Sequence, residues 1–363
     1  MKKAIFISLV LGMFLYGCSK PIVKDNITVN AESDDSRELA GKIAIDKIIP
    51  LDNSHPIGET GKTVYMNGKY YVHDKSSHEI VCYGESGKLD FIISSRGNGP
   101  NEYSYLGNFF IDKYKNEINI LSWGEGKILF YSAATGEYIK SESTGYQFML
   151  DGITLGRESS ALYLMGPGSN LAIRKNGAED ALYFPFIEIR DVVPSRKAFA
   201  PRKDDVLFCY GMNDSVYSIK DLGITSSMYV DFGAYKIPQD IYSADNAFDA
   251  VQNIYAVQPV ATKIDDLSAS DRHLSFSYLF FSPTGVDTRY VLFDKNASRT
   301  YNIRDNFFLF PVSDISSGDL FLSVVAPVRI DGENTLPEIE DFMAANNIKE
   351  DDNPLVVFWT VKD

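Results

Sequence analysis

Apolar residues recur in short runs along most of the chain, separated by clusters of Gly, Asn, Asp and Ser. The runs are rich in β-branched and aromatic residues, and several alternate apolar and polar positions with a period of two. This alternation is typical of half-buried strands, and the polar clusters are typical of turns. Examples are residues 69–72, 88–93, 117–121, 127–131 and 274–281. The pattern therefore predicts an all-β domain.

Helical signals are sparse in comparison. One helix is predicted to begin at Pro337, because proline suits a first helical turn and Glu338, Glu340 and Asp341 lie near the positive end of the helix dipole. A second, short helix is predicted near residues 246–254.

The strand pattern also repeats weakly along the chain. The run 80–83 followed by Gly87 resembles the run 129–131 followed by Gly136, with Tyr83 and Tyr131 separated by 48 residues. This interval is the size of one four-stranded propeller blade, and six blades over residues 41–363 would average about 54 residues each. Seven blades would also fit numerically. The six predicted blades start near Thr63, Leu106, Gln147, Phe199, Ala261 and Phe307.

The predicted fold class is therefore all-β, a six-bladed β-propeller over residues 41–363. An early strand at 43–51 precedes the first blade, and the chain ends in a strand at 355–361. Pairing of these N- and C-terminal strands would close the ring and leave neither strand as an exposed edge.

Asp74 and Asp112 begin similar stretches, 74–80 and 112–118, in which an aspartate is followed by lysine and later by glutamate. We interpret both as turn residues whose carboxylates bind local backbone at a strand end. Calcium binding is the alternative, although the lysine beside each aspartate disfavours it.

The first residues have the features of a secretory signal. Two lysines precede an apolar run at 4–16, which is too short to span a bilayer. The run ends in Leu-Tyr-Gly-Cys, the order of a lipobox, in which Cys18 is the acylation site. An ordinary signal peptide with an incidental cysteine is the alternative.

We therefore predict a signal peptide at 1–17, and an acylated Cys18 followed by a flexible tether over 18–40. The membrane is a predicted partner through this lipid anchor. The residue after the cysteine is Ser19 and not aspartate, which favours the outer membrane of the cell envelope and leaves open which face the protein occupies.

Charge and cysteine content narrow the partners further. The formal net charge is −14, so nucleic acid and bare anionic lipid are poor partners. Cys82 and Cys209 lie in apolar runs assigned to different blades, and we predict that both are unpaired and buried.

The segment Ser95-Arg96-Gly97-Asn98-Gly99-Pro100-Asn101-Glu102-Tyr103 resembles the Gly-Arg-Gly-Pro-Gly-Glu-Tyr loop found after the first blade in six-bladed β-propeller lipoproteins with TolB-like and NHL-like relatives. Residues 353–357 resemble the closing strand of that family. In this sequence Ser95 replaces the first glycine, and Asn98 and Asn101 alter the spacing. The resemblance covers most of the mature chain. It implies a propeller fold, but a fold does not specify a function.

Charged and aromatic residues at the predicted blade junctions are the candidate ligand-binding residues: Arg96, Glu102, Tyr103, Arg190 and Arg304. Connections between blades reach the face of a propeller where the central channel opens, so these side chains would line its mouth. The alternative is structural: Arg96 and Glu102 would pair to brace the loop, and Tyr103 would pack between blades.

No motif of nucleophilic catalysis or phosphate binding is present, and His55, His73, His78 and His273 lack metal-site spacing. We predict no catalytic residue, no metal and no cofactor. The resulting hypothesis is a noncatalytic module that binds a glycan, a peptide or an envelope protein. A cell-envelope glycan lyase or hydrolase with its site at the channel mouth is the alternative. A structural subunit, recognisable by a large exposed apolar patch, is a third hypothesis.

The lipid anchor is directly testable. Cells that express the protein should incorporate radiolabelled palmitate into it, and the Cys18→Ala variant should lose the label because the acyl-accepting thiol is gone. A variant that keeps the label would contradict the assignment of the lipobox.

Overall fold

The computed structural model describes residues 22–191, 193–244, 246–257, 259–304, 318–327 and 336–362. Two strands precede the first four-stranded sheet, β1 (Ile22–Thr28) and β2 (Ile43–Pro50). The helices are α1 (Ser36–Lys42), α2 (Glu188–Asp191), α3 (Ala247–Val257) and α4 (Pro337–Ala345). Short 3-10 turns lie at Gly233–Tyr235 and Gln239–Ser243.

Three four-stranded antiparallel sheets follow in chain order. Sheet I contains β3 (Thr60–Met66), β4 (Lys69–Asp74), β5 (Glu79–Tyr83) and β6 (Leu89–Ile93). Sheet II contains β7 (Leu106–Asp112), β8 (Glu117–Ser122), β9 (Lys127–Ser132) and β10 (Tyr138–Ser143). Sheet III contains β11 (Met149–Gly156), β12 (Ser159–Leu164), β13 (Ser169–Lys175) and β14 (Ala181–Pro185).

The remaining described strands form three further sheets, two of which recruit the early strands. Sheet IV contains β15 (Phe199–Pro201), β16 (Val206–Phe208), β17 (Ser215–Lys220) and β18 (Gly223–Asp231), with β1 beside β18. Sheet V contains β19 (Val260–Ala269), β20 (His273–Ser282), β21 (Gly285–Asp294) and β22 (Arg299–Ile303). Sheet VI contains β23 (Phe321–Val325), β24 (Leu355–Val361) and β2.

The first strands of successive sheets are neighbours in space. Contacts join β3 to β7, β7 to β11, β11 to β15 and β15 to β19. The sheets therefore stand side by side around their first strands, and the fold is all-β and β-propeller-like, as predicted. Five sheets begin within three residues of the predicted blade starts, at Thr60, Leu106, Met149, Phe199 and Val260. The start predicted near Phe307 lies outside the described residues.

Both predicted helices are confirmed, as α4 and α3, whereas α1 and α2 were not anticipated. The predicted turn chemistry is confirmed as well. The Asp74 carboxylate accepts hydrogen bonds from the backbone N–H groups of Glu59 and Ser76, and that of Asp112 accepts from the N–H groups of Tyr114 and Lys115.

The terminal strands pair as the sequence predicted. β2 runs antiparallel to β24, with Ile43 opposite Val361 and Pro50 opposite Leu355. β24 is thereby flanked on both sides, by β2 and by β23. The buried Trp359 on β24 donates from Nε1 to Ser323 Oγ at 2.9 Å.

The predicted flexible tether over 18–40 is wrong from Ile22 onward. β1 extends sheet IV in parallel to β18, and Ile27 and Val29 are buried in one apolar cluster with Val230. From residue 26 to 32 exposed and buried positions alternate strictly, which is a strand pattern. The polar residues at the exposed positions hid this short pattern in the sequence. Residues 18–21, including Cys18, lie outside the described residues.

The two other cysteines behave as predicted. Cys82 lies in sheet I and Cys209 follows β16 in sheet IV, and both are unpaired and buried. Within the described part of the chain, no helix has the length and apolar character needed to cross a bilayer.

Truncation of Ile27 tests whether β1 belongs to the folded body. The Ile27→Ala variant should lose about 2–4 kcal/mol of unfolding free energy, because it leaves a cavity among buried apolar side chains. Urea denaturation of the full chain measures this change. Thr28→Ala, at the exposed neighbouring position, is the matched control and should change the unfolding free energy by about 0.5 kcal/mol or less. Equal stability of Ile27→Ala and wild type would indicate that β1 is not packed on sheet IV and acts as a tether.

Candidate functional site

A cavity of about 490 Å³ lies where the first strands of sheets I to III begin. Residues from β3, β7 and β11 line it together with 194–197, the end of the connection that leads into sheet IV. We call it the first-strand cavity.

Asp151 on β11 connects three of the segments that border this cavity. Its carboxylate is fully buried, and Oδ1 lies 2.6 Å from Lys62 Nζ on β3. Oδ1 also accepts from Gly152 N at 2.8 Å, and Oδ2 accepts from Ala198 N at 2.9 Å. A buried ion pair is tolerated only where such donors satisfy the remaining lone pairs. One carboxylate therefore joins two first strands to the connection before the next.

Arg196 is held by two consecutive aspartates of β19. Asp265 Oδ1 accepts from the backbone N–H of Arg196 at 2.6 Å, and Asp266 Oδ2 lies 2.8 Å from the Arg196 Nη2 atom. Lys263 Nζ also lies 3.1 Å from Asp265 Oδ2. The Arg196 side chain nevertheless remains 61% exposed, so its guanidinium is both positioned and accessible.

Two bulges in β19 make this double contact feasible. The register with β20 shifts between Thr262 and Asp265 and again between Asp265 and Ser268. Lys263 and Asp266 have φ angles of 62° and 51°, in the left-handed region that non-glycine residues seldom adopt. Adjacent residues of a regular strand point to opposite faces, whereas a bulge re-aims a side chain. Asp265 and Asp266 can consequently both face Arg196.

Aromatic side chains supply walls of the first-strand cavity. Tyr105, Trp123 and Tyr290 line it, and Tyr105 is 46% exposed. The Trp123 ring packs 5.1 Å from that of Phe148, which fixes the indole. Such walls present flat apolar surfaces with polar tips, as ligand pockets commonly do.

Burial shifts the pKa values of His73 and Asp266, two of the titratable groups that line the cavity. Burial lowers the pKa of His73 to about 4, with a smaller contribution from nearby Lys75, so the imidazole is neutral at pH 7. Burial also raises the pKa of Asp266, and the charge of Asp265 adds to that effect while Arg196 opposes it. The described residues contain no group of three His, Cys, Asp or Glu side chains able to hold a metal ion.

Arg96 lies beside the rim and not in the lining. It is exposed on the connection after sheet I. Its charge contributes, after burial, to the lowered pKa of His78, and the His78 ring lies 4.3 Å from the rim residue Tyr105.

Glu102 and Tyr103 stabilise the loop that contains them. The Glu102 carboxylate accepts from Gly99 N at 2.7 Å, and a Cβ atom at Gly97 would overlap it. No ion pair joins Glu102 to Arg96 in the described structure, so the predicted brace is a carboxylate–backbone contact instead. Tyr103 is fully buried and its hydroxyl donates to His78 O at 2.7 Å. Its predicted role as a ligand-facing wall is therefore wrong, and the packing alternative holds.

Arg190 and Arg304 lie elsewhere. The guanidinium of Arg190 forms two hydrogen bonds to the Asp191 carboxylate, at 2.7 and 2.9 Å, and borders a different cavity beside sheet IV. Arg304 donates to Ala31 O at 2.8 Å and so holds the N-terminal segment. The residues predicted at the blade junctions consequently do not converge on one site.

The charged residues that do converge are not among those predicted from the sequence: Lys62, Asp151, Arg196, Lys197, Asp265 and Asp266. One usable signal was present. The strand 260–269 carries three charged residues within an otherwise buried segment, and charges are seldom buried unless they are paired.

Removal of the Asp151 carboxylate tests its role in the scaffold. Asp151→Ala should cost about 3–5 kcal/mol of unfolding free energy, because it leaves a largely buried ammonium group and two backbone N–H groups without their acceptor. Glu59→Ala is the control, since Glu59 forms an exposed ion pair with Lys75, and should change stability by about 1 kcal/mol or less. Denaturant titration measures both. Similar losses in the two variants would contradict a special role for Asp151.

The chain has recognisable relatives. The model of a domain of unknown function (DUF4934) matches residues 47–360. No curated protein matches the sequence significantly. An exported protein of Bacteroides fragilis NCTC 9343 has a similar solved structure, with a TM-score of 0.69 and 16% identity over 93% of this chain and 99% of that one. A DUF4221 member from Bacteroides vulgatus ATCC 8482 has a TM-score of 0.56 and 12% identity over 89% and 99%.

At these identities the two solved structures show a shared fold and no shared activity. The family model, in contrast, spans most of the sequence. The chain therefore belongs to the DUF4934 family.

Proposed function

We propose that this protein is a noncatalytic binding module, anchored to the cell envelope, that holds a carboxylate-bearing ligand in the first-strand cavity. The observation that carries the proposal is Arg196, an exposed guanidinium held in place by Asp265 and Asp266 beside aromatic walls. A planar, pre-oriented guanidinium suits a carboxylate, which it can bind through two parallel hydrogen bonds.

The proposal includes the architecture around the cavity. In it, the six described sheets are the blades of one ring, and β2 completes the last blade beside β24. The first strands then surround a central channel, and the first-strand cavity is its mouth. Contacts between successive first strands from β3 to β19 support this arrangement.

Charge supports an anionic ligand. Lys62, Lys75, Arg196 and Lys197 all line the first-strand cavity, although the whole chain carries a formal net charge of −14. Lys62, Lys75 and Arg196 are paired with Asp151, Glu59 and Asp266, so an anion would be held by individual charge-assisted hydrogen bonds and not by an excess of positive charge. Because the aromatic walls suit the apolar face of a sugar ring, an acidic oligosaccharide is the ligand class we favour.

The location proposed is the outer membrane, through a lipid on Cys18. The lipobox supports this, and the similar protein of Bacteroides fragilis is described as exported. Arg96, exposed beside the rim, is proposed as a peripheral contact that attracts the ligand.

A cell-envelope glycan lyase or hydrolase is the second candidate function. His73 and Asp266 line the same cavity, and a carboxyl group with a raised pKa can serve as a general acid. The ion pair between Asp266 and Arg196 favours a structural role for that carboxylate instead.

Titration with digalacturonic acid tests the proposed function. Trp123 lies in the cavity, so tryptophan fluorescence should change on binding, and calorimetry gives the affinity. Arg196→Ala should weaken binding about tenfold or more, since it removes the charge-assisted contacts. Arg96→Ala should weaken binding less and mainly at low salt. Arg299→Ala on sheet V, which breaks an exposed ion pair with Glu38 of α1, is the control and should leave binding unchanged.

Two outcomes would contradict the binding hypothesis. Equal affinity of Arg196→Ala and wild type would show that the ligand does not bind in the first-strand cavity. Conversion of the oligosaccharide to shorter or unsaturated products, abolished in His73→Ala, would establish the enzymatic alternative.

A further inference from the structure

A second cavity, of about 390 Å³, lies beside sheet IV at the same end of the sheets as the first-strand cavity. Four tyrosines line it, Tyr210, Tyr217, Tyr229 and Tyr242, and we call it the tyrosine cavity. Its wall is completed by Arg190 and by Lys236, which follows β18. The two cavities share no lining residue.

The tyrosine cavity contains a buried carboxyl oxygen without a hydrogen-bond donor. Asp214, immediately before β17, is only 8% exposed, and its Oδ1 atom has no hydrogen-bond donor among the described residues. A buried acceptor that gave up water without gaining a donor destabilises the folded state, so native proteins seldom keep one without a reason. A ligand that donates a hydrogen bond would supply the missing partner.

The charges around Asp214 restrict what that ligand can be. The Arg190 guanidinium lies 5.0 Å from the centre of the Tyr210 ring, and Lys236 Nζ lies 4.9 Å from that of Tyr229. A cation of the protein itself therefore already lies over each of these two aromatic rings. A cationic ligand would be repelled by Arg190 and Lys236, and an anionic one would meet the Asp214 carboxylate.

A neutral hydroxyl-bearing ligand avoids both penalties. Its hydroxyl groups can donate to Asp214 and accept from Lys236 and Arg190, while its carbon skeleton packs on tyrosine rings. The cavity volume lies at the lower end of the range for small-molecule sites. We propose that the tyrosine cavity binds a neutral sugar of one or two rings, with Asp214 as its principal hydrogen-bond acceptor. This site is separate from that of the proposed acidic oligosaccharide.

The same burial also changes the titration of Asp214. It raises the pKa of Asp214 to about 7, with Lys236 opposing and Asp231 adding to the shift. Arg190, which pairs with Asp191, is the remaining charged residue of the lining. A carboxyl whose pKa is higher in the folded than in the unfolded state loses stability as pH rises from about 4 to about 7. Asparagine at this position should remove that loss.

The test uses the full chain in a detergent that has no sugar headgroup. Glucose, galactose, mannose, N-acetylglucosamine and cellobiose serve as probes, with affinity measured by calorimetry at pH 8. At least one should bind, and Asp214→Asn should lower that affinity about tenfold or more, because a charged acceptor is lost. Binding should leave tryptophan fluorescence unchanged, since Trp123 lies in the other cavity.

Thermal unfolding separates lost binding from lost folding. Without sugar, Asp214→Asn should melt at a higher temperature than wild type at pH 8, and the difference should shrink towards pH 4. Asp204→Asn, at an exposed position before β16, is the matched control and should preserve both affinity and melting temperature. The proposal is overturned if no neutral sugar binds the wild type, if Asp214→Asn binds equally well, or if Arg196→Ala abolishes the binding.

Discussion

The arrangement of the first strands depends on the buried carboxylate of Asp151. It joins β3, β11 and the connection into sheet IV through Lys62, its own neighbour Gly152 and Ala198. Propeller-like sheets otherwise meet through apolar side chains, which fix distance more strongly than direction. A buried ion pair with satisfied lone pairs is directional, so it sets how the first strands stand relative to each other. The shape of the first-strand cavity therefore depends on this contact.

A second set of polar contacts links sheet V to the first-strand cavity, and it depends on the bulges in β19. The left-handed residues Lys263 and Asp266 create the bulges that let two adjacent aspartates face Arg196. Such conformations cost free energy and persist only where surrounding contacts compensate. Here Lys263, Arg196 and Ser277 supply those contacts. The position of the exposed Arg196 guanidinium therefore depends on strained residues in a strand that is almost wholly buried.

Local patterns explain what the sequence predicted well. Strands, turns and sheet starts follow from alternation and from aspartates such as Asp74, which accepts hydrogen bonds from Ser76 and Ser77 close by in the chain. The site was not predictable in the same way, because Lys62 and Asp151 are 89 residues apart and Arg196 and Asp265 are 69 apart. Tyr103 was selected because of its loop motif, yet the structure buries it. The strand β1 was missed because its apolar positions are few.

The pairing of β1 with β18 limits how far the body can move from a membrane. Under the proposed acylation at Cys18, only four residue steps separate the lipidated residue from Ile22, where β1 begins. Even fully extended, those steps span about 14 Å or less. The start of β1 would then lie close to the bilayer surface, and no long flexible linker would separate the folded body from the membrane. A partner would therefore meet a body that is held at the membrane surface by the end at which β1 begins.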